Sequence, residues 1–273
     1  MPFYADGHVH LHPGFDLGRL ARVLAGRSRE LGGDLLLLLA ETPGASFFRG
    51  LRRAATSPSE GSTTGRGAGG LAALRPQATD EPESLRLLPD SSPAVFAVAG
   101  RQFVSRERLE VLGLGLDPDL PLRDRPDGEQ EAEALVEAVL GAGGIAVLPW
   151  GVGKWTGARG RLVRQLARAF SGEARFLAGD IAHRPVGWPV PRAFREAAGP
   201  VLAGTDPLPL PGLEAGIARY GTRFEAPFRR EAPAASLRAA LEAGAAARPF
   251  GRRDGPMRVF REQLRYRLDR ARR

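Results

Sequence analysis

Three of the four histidines in this 273-residue chain fall in one short window near its start. The segment DGHVHLHP, residues 6–13, places His8, His10 and His12 at alternate positions. Alternate residues of a β-strand project to the same side, so we expect Asp6, His8 and His10 to point together. Two imidazoles and a carboxylate at a strand end suit divalent Zn, Mn or Fe, and one or two such ions are predicted here. The alternative is a pair of core histidines that satisfy each other.

Acidic residues follow three later apolar stretches. In β/α barrels the active site lies at the ends of the strands, which is where these residues are expected. Glu41 follows the run LLLLLA, Asp180 and His183 lie in FLAGDIAHRP, and Asp206 lies in VLAGTDP. Glu41 faces a cation or is held by a helix terminus; Asp206 faces a site or is a turn residue. His183 is a ligand or a structural loop residue. The predicted metal ligands are His8, His10, Glu41, Asp206 and His183, and the predicted general base is Asp206 or Asp180.

Lys154 is the only lysine among 39 basic residues. A compact ammonium is not interchangeable with guanidinium, so Lys154 is a candidate ligand for a substrate phosphate or carboxylate, unless its presence is chance. Arg101 and Arg184 are further candidates for holding an anionic small molecule. The surrounding GVGKWT is not a phosphate-binding P-loop, because Trp155 stands where a hydroxyl residue is required. Trp150 and Trp155 either line a pocket or serve as ordinary packing.

Apolar strands alternate with amphipathic helices along much of the chain. Residues 3–10 form a predicted strand, Asp16 then caps a helix, and residues 34–40 read as a buried strand. This alternation predicts a parallel sheet, and we expect a distorted (β/α)7–8 TIM-like barrel forming one domain, residues 1–273. An open doubly wound sheet is disfavoured because the first strand lacks a glycine-rich dinucleotide loop.

Two segments depart from that alternation. Residues 55–82 are rich in Ser, Thr, Gly and Arg without periodicity, which predicts a disordered surface insertion. Residues 255–273 predict a basic helix whose apolar residues recur at helical spacing. We interpret it as a helix that packs with a solvated basic face; a nucleic-acid-binding arm is the alternative.

Composition narrows the classes of partner. The net charge is +8, but arginines are spread along the chain, so nucleic acid is not an expected partner. No cysteine is present, which excludes disulfides and thiolate metal sites. No apolar run reaches the roughly 18 residues of a membrane helix and no signal segment is recognisable, so we expect a cytoplasmic protein without a membrane partner.

Several segments resemble the PHP (polymerase and histidinol phosphatase) family and the wider metal-dependent amidohydrolases. DGHVHLH is similar to their opening motif, AGRQFVSRERLEVLGLG (99–115) and GGIAVLPWG (143–151) are similar to later PHP strands, and LAGTDP is similar to their final aspartate segment. Three positions depart from the pattern: Gln102 replaces a glutamate, Pro149-Trp150 replaces a histidine motif, and Pro207 follows Asp206 where a histidine is expected. The resemblance implies one or two metals in place of a trinuclear site.

The expected function is hydrolysis by a metal-activated water, with a phosphoester favoured as substrate. Two alternatives remain open. One is an amidohydrolase-type enzyme that cleaves C–N bonds with the same ligands. The other is an inactive PHP-like barrel that binds a ligand or partner.

Overall fold

The computed structural model describes residues 2–56, 68–197 and 199–271. Its strands are β1 (Phe3–Val9), β2 (Leu35–Leu39), β3 (Gln77–Ala78), β4 (Ser84–Leu87), β5 (Val95–Val98), β6 (Gly100–Val104), β7 (Glu110–Leu114), β8 (Ile145–Pro149), β9 (Phe176–Ile181), β10 (Leu202–Gly204), β11 (Tyr220–Phe224) and β12 (Ala247–Gly251). Its α-helices are α1 (Leu17–Leu31), α2 (Phe47–Thr56), α3 (Ala68–Leu71), α4 (Ala132–Gly141), α5 (Gly157–Ala169), α6 (Ala193–Glu196), α7 (Pro233–Glu242) and α8 (Pro256–Ala271).

Local predictions near the start of the chain are confirmed. The first two predicted strands are β1 and β2, and both are buried along their length. The Asp16 side chain caps α1 by accepting a hydrogen bond of 2.9 Å from the Arg19 N–H. The helix ends at Gly32, whose φ of 69° is the left-handed conformation that glycine adopts readily.

The predicted TIM-like barrel is wrong, because the strands form two mixed sheets and no closed barrel. The larger sheet has the order β12-β11-β1-β2-β5-β4-β3, and the smaller has the order β10-β9-β8-β7-β6. Parallel pairing is confined to β1-β2-β5 in one sheet and to β8-β9-β10 in the other. All other neighbouring strands pair antiparallel.

The departure from a barrel has a local cause in the connections. Strands β3 to β7 follow one another without an intervening α-helix, and short connections produce antiparallel pairs. The turn at residues 105–109, for example, joins β6 to β7 as a hairpin, closed by hydrogen bonds between Ser105 and Leu109. Only the β1-β2-β5 and β8-β9-β10 parts keep the strand–helix alternation that the barrel prediction extended to the whole chain.

The two sheets pack face to face, with helices on their outer sides. Residues from both sheets, among them Phe96 and Val147, share one buried cluster with Leu237 of α7. A second cluster joins the outer side of the larger sheet to α1 and α2, and a third joins the smaller sheet to α4, α5 and α6. This arrangement brings the end of β1, in the larger sheet, beside β10 in the smaller one.

The close approach of β1 to β10 depends on a glycine in each strand. A Cβ on Gly204 would lie 2.3 Å from the His8 backbone nitrogen, and one on Gly7 would lie 2.8 Å from the Ala203 carbonyl oxygen. Glycine at both positions therefore permits the close backbone contact. The Asp206 N–H donates to the His8 carbonyl across this junction, at 2.8 Å.

The C-terminal helix α8 has an unexpected orientation. Val259 and Glu262 are buried, whereas its other large apolar residues face solvent. The exposed residues are Met257, Phe260, Leu264 and Leu268. The helix therefore packs through a largely polar face, and its apolar stripe is uncovered in the described part of the chain.

The predicted 55–82 insertion is only partly described, since residues 57–67 lie outside the described ranges. From residue 68 onward it contains α3, a 3-10 helix (Ala72–Leu74) and β3, the edge strand of the larger sheet. Within the described ranges, no helix has the length and apolar character needed to cross a membrane.

The junction between β1 and β10 predicts opposite effects for two glycine substitutions. Gly204→Ala is expected to lower the free energy of unfolding by about 1–3 kcal/mol or more, because its Cβ meets rigid backbone. Gly26→Ala, within α1 and with nothing within 4 Å of the added Cβ, is expected to raise it by about 0.5–1 kcal/mol. Urea unfolding measures both, and equal effects would contradict the close junction.

Candidate metal centre

Two histidines and one aspartate converge where β1 meets β10. The Nε2 atoms of His8 and His10 lie 2.9 Å apart. The Oδ1 atom of Asp206 lies 3.6 Å from the His8 Nε2 and 3.5 Å from the His10 Nε2. Both imidazoles are buried, and the Asp206 side chain is 28% exposed, so the cluster opens to solvent on the aspartate side.

The chain reaches this arrangement through a short irregular stretch. The pairing of β1 with β2 shifts register between Asp6 and Val9, just where the histidines begin. On the other side, Asp206 has a φ of 47°, an uncommon left-handed conformation that aspartate tolerates better than most residues. The turn directs the Asp206 carboxylate to the imidazoles while its N–H bonds the His8 carbonyl.

The Asp6 carboxylate fixes the backbone around the cluster by hydrogen bonds. Its Oδ1 accepts hydrogen bonds from the N–H of Thr205 at 2.7 Å and of His8 at 3.3 Å. Its Oδ2 accepts from the Thr205 hydroxyl at 2.5 Å and from the Ala218 N–H at 2.8 Å. Burial raises the Asp6 pKa to about 6, against the effect of these donors, which leaves the carboxylate ionised at neutral pH. Asp6 therefore ties three segments together and keeps no free oxygen for a metal.

The ionisation states favour ligation. Burial, followed by the neighbouring His8 charge, lowers the His10 pKa to about 3, so its imidazole is neutral near pH 7. Burial would raise the Asp206 pKa, but nearby basic side chains, His8 first among them, lower it below its usual range. A neutral imidazole and an ionised carboxylate are the forms that bind metal ions.

The spacing of the three atoms fits a divalent ion. Ligand atoms about 2.1 Å from an ion are separated by about 3.0 Å at a right angle and by about 3.4 Å at the tetrahedral angle. The observed separations of 2.9, 3.5 and 3.6 Å bracket these values. The donor set of two nitrogens and one oxygen suits Zn, Mn or Fe.

His12 borders the cluster without joining it. Its Nε2 lies 3.0 Å from the Pro207 carbonyl oxygen, and its ring centroid lies 5.7 Å from that of His10. Burial lowers its pKa, which keeps this imidazole neutral as well. It supports the turn that carries Asp206.

Glu41, a predicted ligand, has other partners. Its Oε1 accepts the Phe48 N–H at 2.8 Å near the start of α2, and its Oε2 pairs with Arg123 at 2.7 Å. Burial raises its pKa, opposed by these contacts. Of the alternatives that the sequence leaves open for Glu41, the geometry matches the helix terminus. Among the described residues, Glu41 belongs to neither of the two groups whose ligand atoms lie within 4.8 Å of one another, one of which is His8, His10 and Asp206.

Asp180 is fully occupied by neighbours. Arg184 donates to both of its oxygens, at 2.6 and 2.7 Å, and the Tyr220 hydroxyl donates at 2.8 Å. These bonds leave no oxygen free to take a proton from a substrate or water. They also commit Arg184, a predicted substrate ligand, to a structural ion pair.

His183 belongs to a second cluster with Asp254 and Glu262. The His183 Nε2 lies 2.9 Å from Glu262 Oε2, and Arg258 donates to Glu262 Oε1 at 2.8 Å. Arg219 donates to both oxygens of Asp254, at 2.6 and 2.5 Å. Every carboxylate oxygen already has a cationic or imidazole partner, so this cluster is an ion-pair network that holds α8 to the body.

The two remaining predicted cations differ in position. Lys154 pairs with Glu110, and its charge acts on Asp206. A turn closed by the Lys154 N–H and the Gly151 carbonyl, 3.0 Å apart, places it beyond the end of β8. Arg101 donates to the Arg125 carbonyl at 2.8 Å, and its Nε is buried without a partner among the described residues.

A cleft near this end of the molecule was only partly foreseen. Trp150 and Trp155 do line a pocket, and they share it with Trp188, Arg164 and Arg192, which the sequence did not single out. Its volume is about 450 Å³. The available signal was that tryptophan occurs only three times in the chain.

Comparisons with known proteins show a fold and no function. No protein-family profile matches the chain, and no curated protein matches it. Among solved structures, it is similar to the crystal structure of PsfC from Pseudomonas syringae PB-5123, with a TM-score of 0.54, 16% identity and 98% of each chain covered. At this identity, the likeness shows a shared fold over nearly the full length. No family match supports the PHP resemblance noted in the sequence.

The ion-pair network predicts a pH-dependent anchoring of α8. Burial alone would raise the Glu262 pKa, but hydrogen bonds from His183 and Arg258 outweigh it and lower this pKa from 4.5 to about 2. The resulting stabilisation is complete above about pH 4.5 and is lost as the pH falls towards 2. Glu262→Gln is therefore expected to lower the free energy of unfolding by about 1–3 kcal/mol at pH 7 and by less at pH 3.

Urea unfolding at the two pH values measures this difference. Glu30→Gln is the control, because Glu30 is an exposed residue of α1 in a surface pair with Arg27, and its loss is expected to cost less than about 0.5 kcal/mol. An equal loss for Glu262→Gln at pH 7 and pH 3 would contradict the ionic origin of the anchoring.

Proposed function

We propose that this chain is a metal-dependent hydrolase that acts on phosphoesters. The observation that carries the proposal is the triangle of His8 Nε2, His10 Nε2 and Asp206 Oδ1, whose sides of 2.9, 3.5 and 3.6 Å suit one divalent ion. The exposed side of Asp206 gives a substrate access to it.

A bound divalent ion lowers the pKa of water from about 16 towards about 7 and polarises a phosphoryl oxygen. The protein groups supply position and charge. The two buried imidazoles hold the ion in a fixed place, and Asp6 holds the backbone of His8 and Thr205 so that the third ligand stays in register. Preorganisation of this kind removes the cost of assembling ligands when the substrate arrives.

Of the two predicted general bases, Asp206 and Asp180, we assign to Asp206 the orientation of the attacking water. Asp180 has no free oxygen, whereas Asp206 directs Oδ1 to the imidazoles and is partly exposed. The lowered Asp206 pKa keeps the carboxylate ionised, so its remaining lone pairs can accept a hydrogen bond from water.

The ammonium group of Lys154 favours a phosphoester over an amide as the substrate. Lys154 is partly exposed, and its ammonium acts on Asp206 from the loop after β8. A fixed cation next to a metal ion stabilises the charge that develops on a transferring phosphoryl group, whereas amide hydrolysis requires no anionic substrate. The Glu110 partner holds Lys154 in place and partly neutralises it.

The proposal predicts metal-dependent turnover of phosphomonoesters or phosphodiesters by purified protein supplied with Mn²⁺ or Zn²⁺. His10→Ala and Asp206→Asn are expected to lower kcat/KM by at least about 100-fold, because loss of even an outer partner of a metal ligand costs about 10- to 100-fold. Asp90→Asn, at an exposed position outside the cluster, serves as the matched carboxylate control and is expected to retain activity.

Phosphate release and amide cleavage are measured on parallel substrate panels, with and without a chelator. Turnover of amides in preference to phosphoesters, or full activity in Asp206→Asn, would contradict the proposal. Circular dichroism of each variant separates loss of chemistry from loss of fold.

A further inference from the structure

All three tryptophans of the chain line a single cleft. Trp150 follows β8, Trp155 precedes α5, and Trp188 comes from the segment before α6. Two separate segments, residues 150–155 and the one that carries Trp188, thus contribute aromatic rings to one concavity of about 450 Å³, a size typical of small-molecule sites.

The three rings have different environments. Trp150 is buried, and Trp155 packs edge-on against Phe194 with centroids 5.6 Å apart. Trp188 is 53% exposed, as is the neighbouring Val190. The cleft therefore combines two packed tryptophans with an exposed one, whose ring is accessible for stacking on a planar ligand.

The cleft also carries positive charge. Arg164 of α5 and Arg192 before α6 line it, and neither forms an ion pair with another residue in the described ranges. Their guanidinium groups are therefore available for an anionic group on the ligand.

The cleft and the candidate metal centre share one edge of the fold. Trp150 lies directly beyond the end of parallel strand β8, and Asp206 follows the end of β10, two strands along in the same sheet. Lys154 lies between cleft residues Gly153 and Trp155 in the chain. A ligand in the cleft therefore lies at the same end of the smaller sheet as the candidate metal centre.

We infer that the cleft binds the planar aromatic ring of a phosphorylated substrate, either a nucleoside phosphate or an aryl phosphate. Trp188 stacks on the ring, and Arg164 and Arg192 attract its anionic groups. This inference rests on the proposed phosphoesterase for the position of the phosphate, but ring binding itself requires no turnover.

The test is isothermal titration calorimetry of the full chain, treated with a chelator so that no metal-dependent hydrolysis occurs. The ligands are AMP, UMP, phenyl phosphate, ribose 5-phosphate and inorganic phosphate. AMP or phenyl phosphate is expected to bind at least about 10-fold more tightly than ribose 5-phosphate, because base–aromatic stacking contributes on that order. AMP binding tighter than phenyl phosphate identifies a nucleoside, and the reverse order identifies an aryl group.

Trp188→Ala is expected to weaken binding of the preferred ring compound about 10-fold and to leave ribose 5-phosphate binding unchanged. Its exposure makes loss of folding unexpected, and Phe260→Ala, an exposed aromatic residue of α8 outside the cleft, is the matched control.

The outcomes separate this inference from the proposed function. Ring-dependent binding in a protein that hydrolyses no phosphoester keeps the inference and overturns the proposed function. Equal binding of AMP, phenyl phosphate and ribose 5-phosphate, or an unchanged affinity in Trp188→Ala, overturns the inference even in an active phosphoesterase.

Discussion

The buried carboxylate of Asp6 holds together the part of the molecule on which the candidate site depends. It accepts four hydrogen bonds, from β1 itself, from the turn after β10 and from the segment before β11. Such a carboxylate is stable in the interior only because every lone-pair direction meets a donor. Its demand for these donors fixes Thr205 beside β1, and Asp206, the next residue, is then brought to the two imidazoles. Gly7 and Gly204 make this arrangement sterically possible, because a side chain at either position would clash with the other strand.

Several buried carboxylates elsewhere are paired with cations, and this contrast marks the candidate site. The Asp180–Arg184 pair, the Glu41–Arg123 pair and the network around Glu262 each use all the oxygens of their carboxylates. At the His8–His10–Asp206 cluster, by contrast, the two imidazoles hydrogen-bond each other, and the carboxylate lies 3.5–3.6 Å from both. One shared proton satisfies the imidazole pair, whereas a divalent ion would satisfy all three ligand atoms at once.

Much of the local structure was predictable, because strand alternation and helix capping act over a few residues. The pairing of His8 with His10 followed from their spacing, and Asp206 from its place after an apolar strand. Glu41 occupies a similar position after a strand, yet it binds Arg123, 82 residues away. Likewise, His183 binds Glu262 at a separation of 79 residues. No local pattern distinguishes Glu41 and His183, which pair with distant charged residues, from the residues that converge at the candidate site, and no local pattern assigned Trp188 to the cleft.

The overall topology could not be inferred from alternation alone. Several strands between residues 84 and 114 were predicted from the sequence. Their short connections favour antiparallel hairpins, which are incompatible with the parallel barrel that the alternation predicted. The C-terminal helix shows the same limit. Its apolar spacing predicted the helix, but the ion pairs of Glu262 and Arg258 determine which face packs, and these depend on His183 and Asp254 from elsewhere in the chain.

The most direct measurement is elemental analysis of purified protein, after reconstitution with Zn²⁺, Mn²⁺ or Fe²⁺ and removal of loosely bound ions. Three proteins are compared: the wild type, His8→Ala/His10→Ala and His183→Ala, the last as a histidine control from the second cluster. The account predicts about one equivalent of metal in the wild type and in His183→Ala, and none in the double variant. Absence of metal from the wild type, or metal that the double variant retains, would contradict it and leave His8 and His10 as a hydrogen-bonded pair.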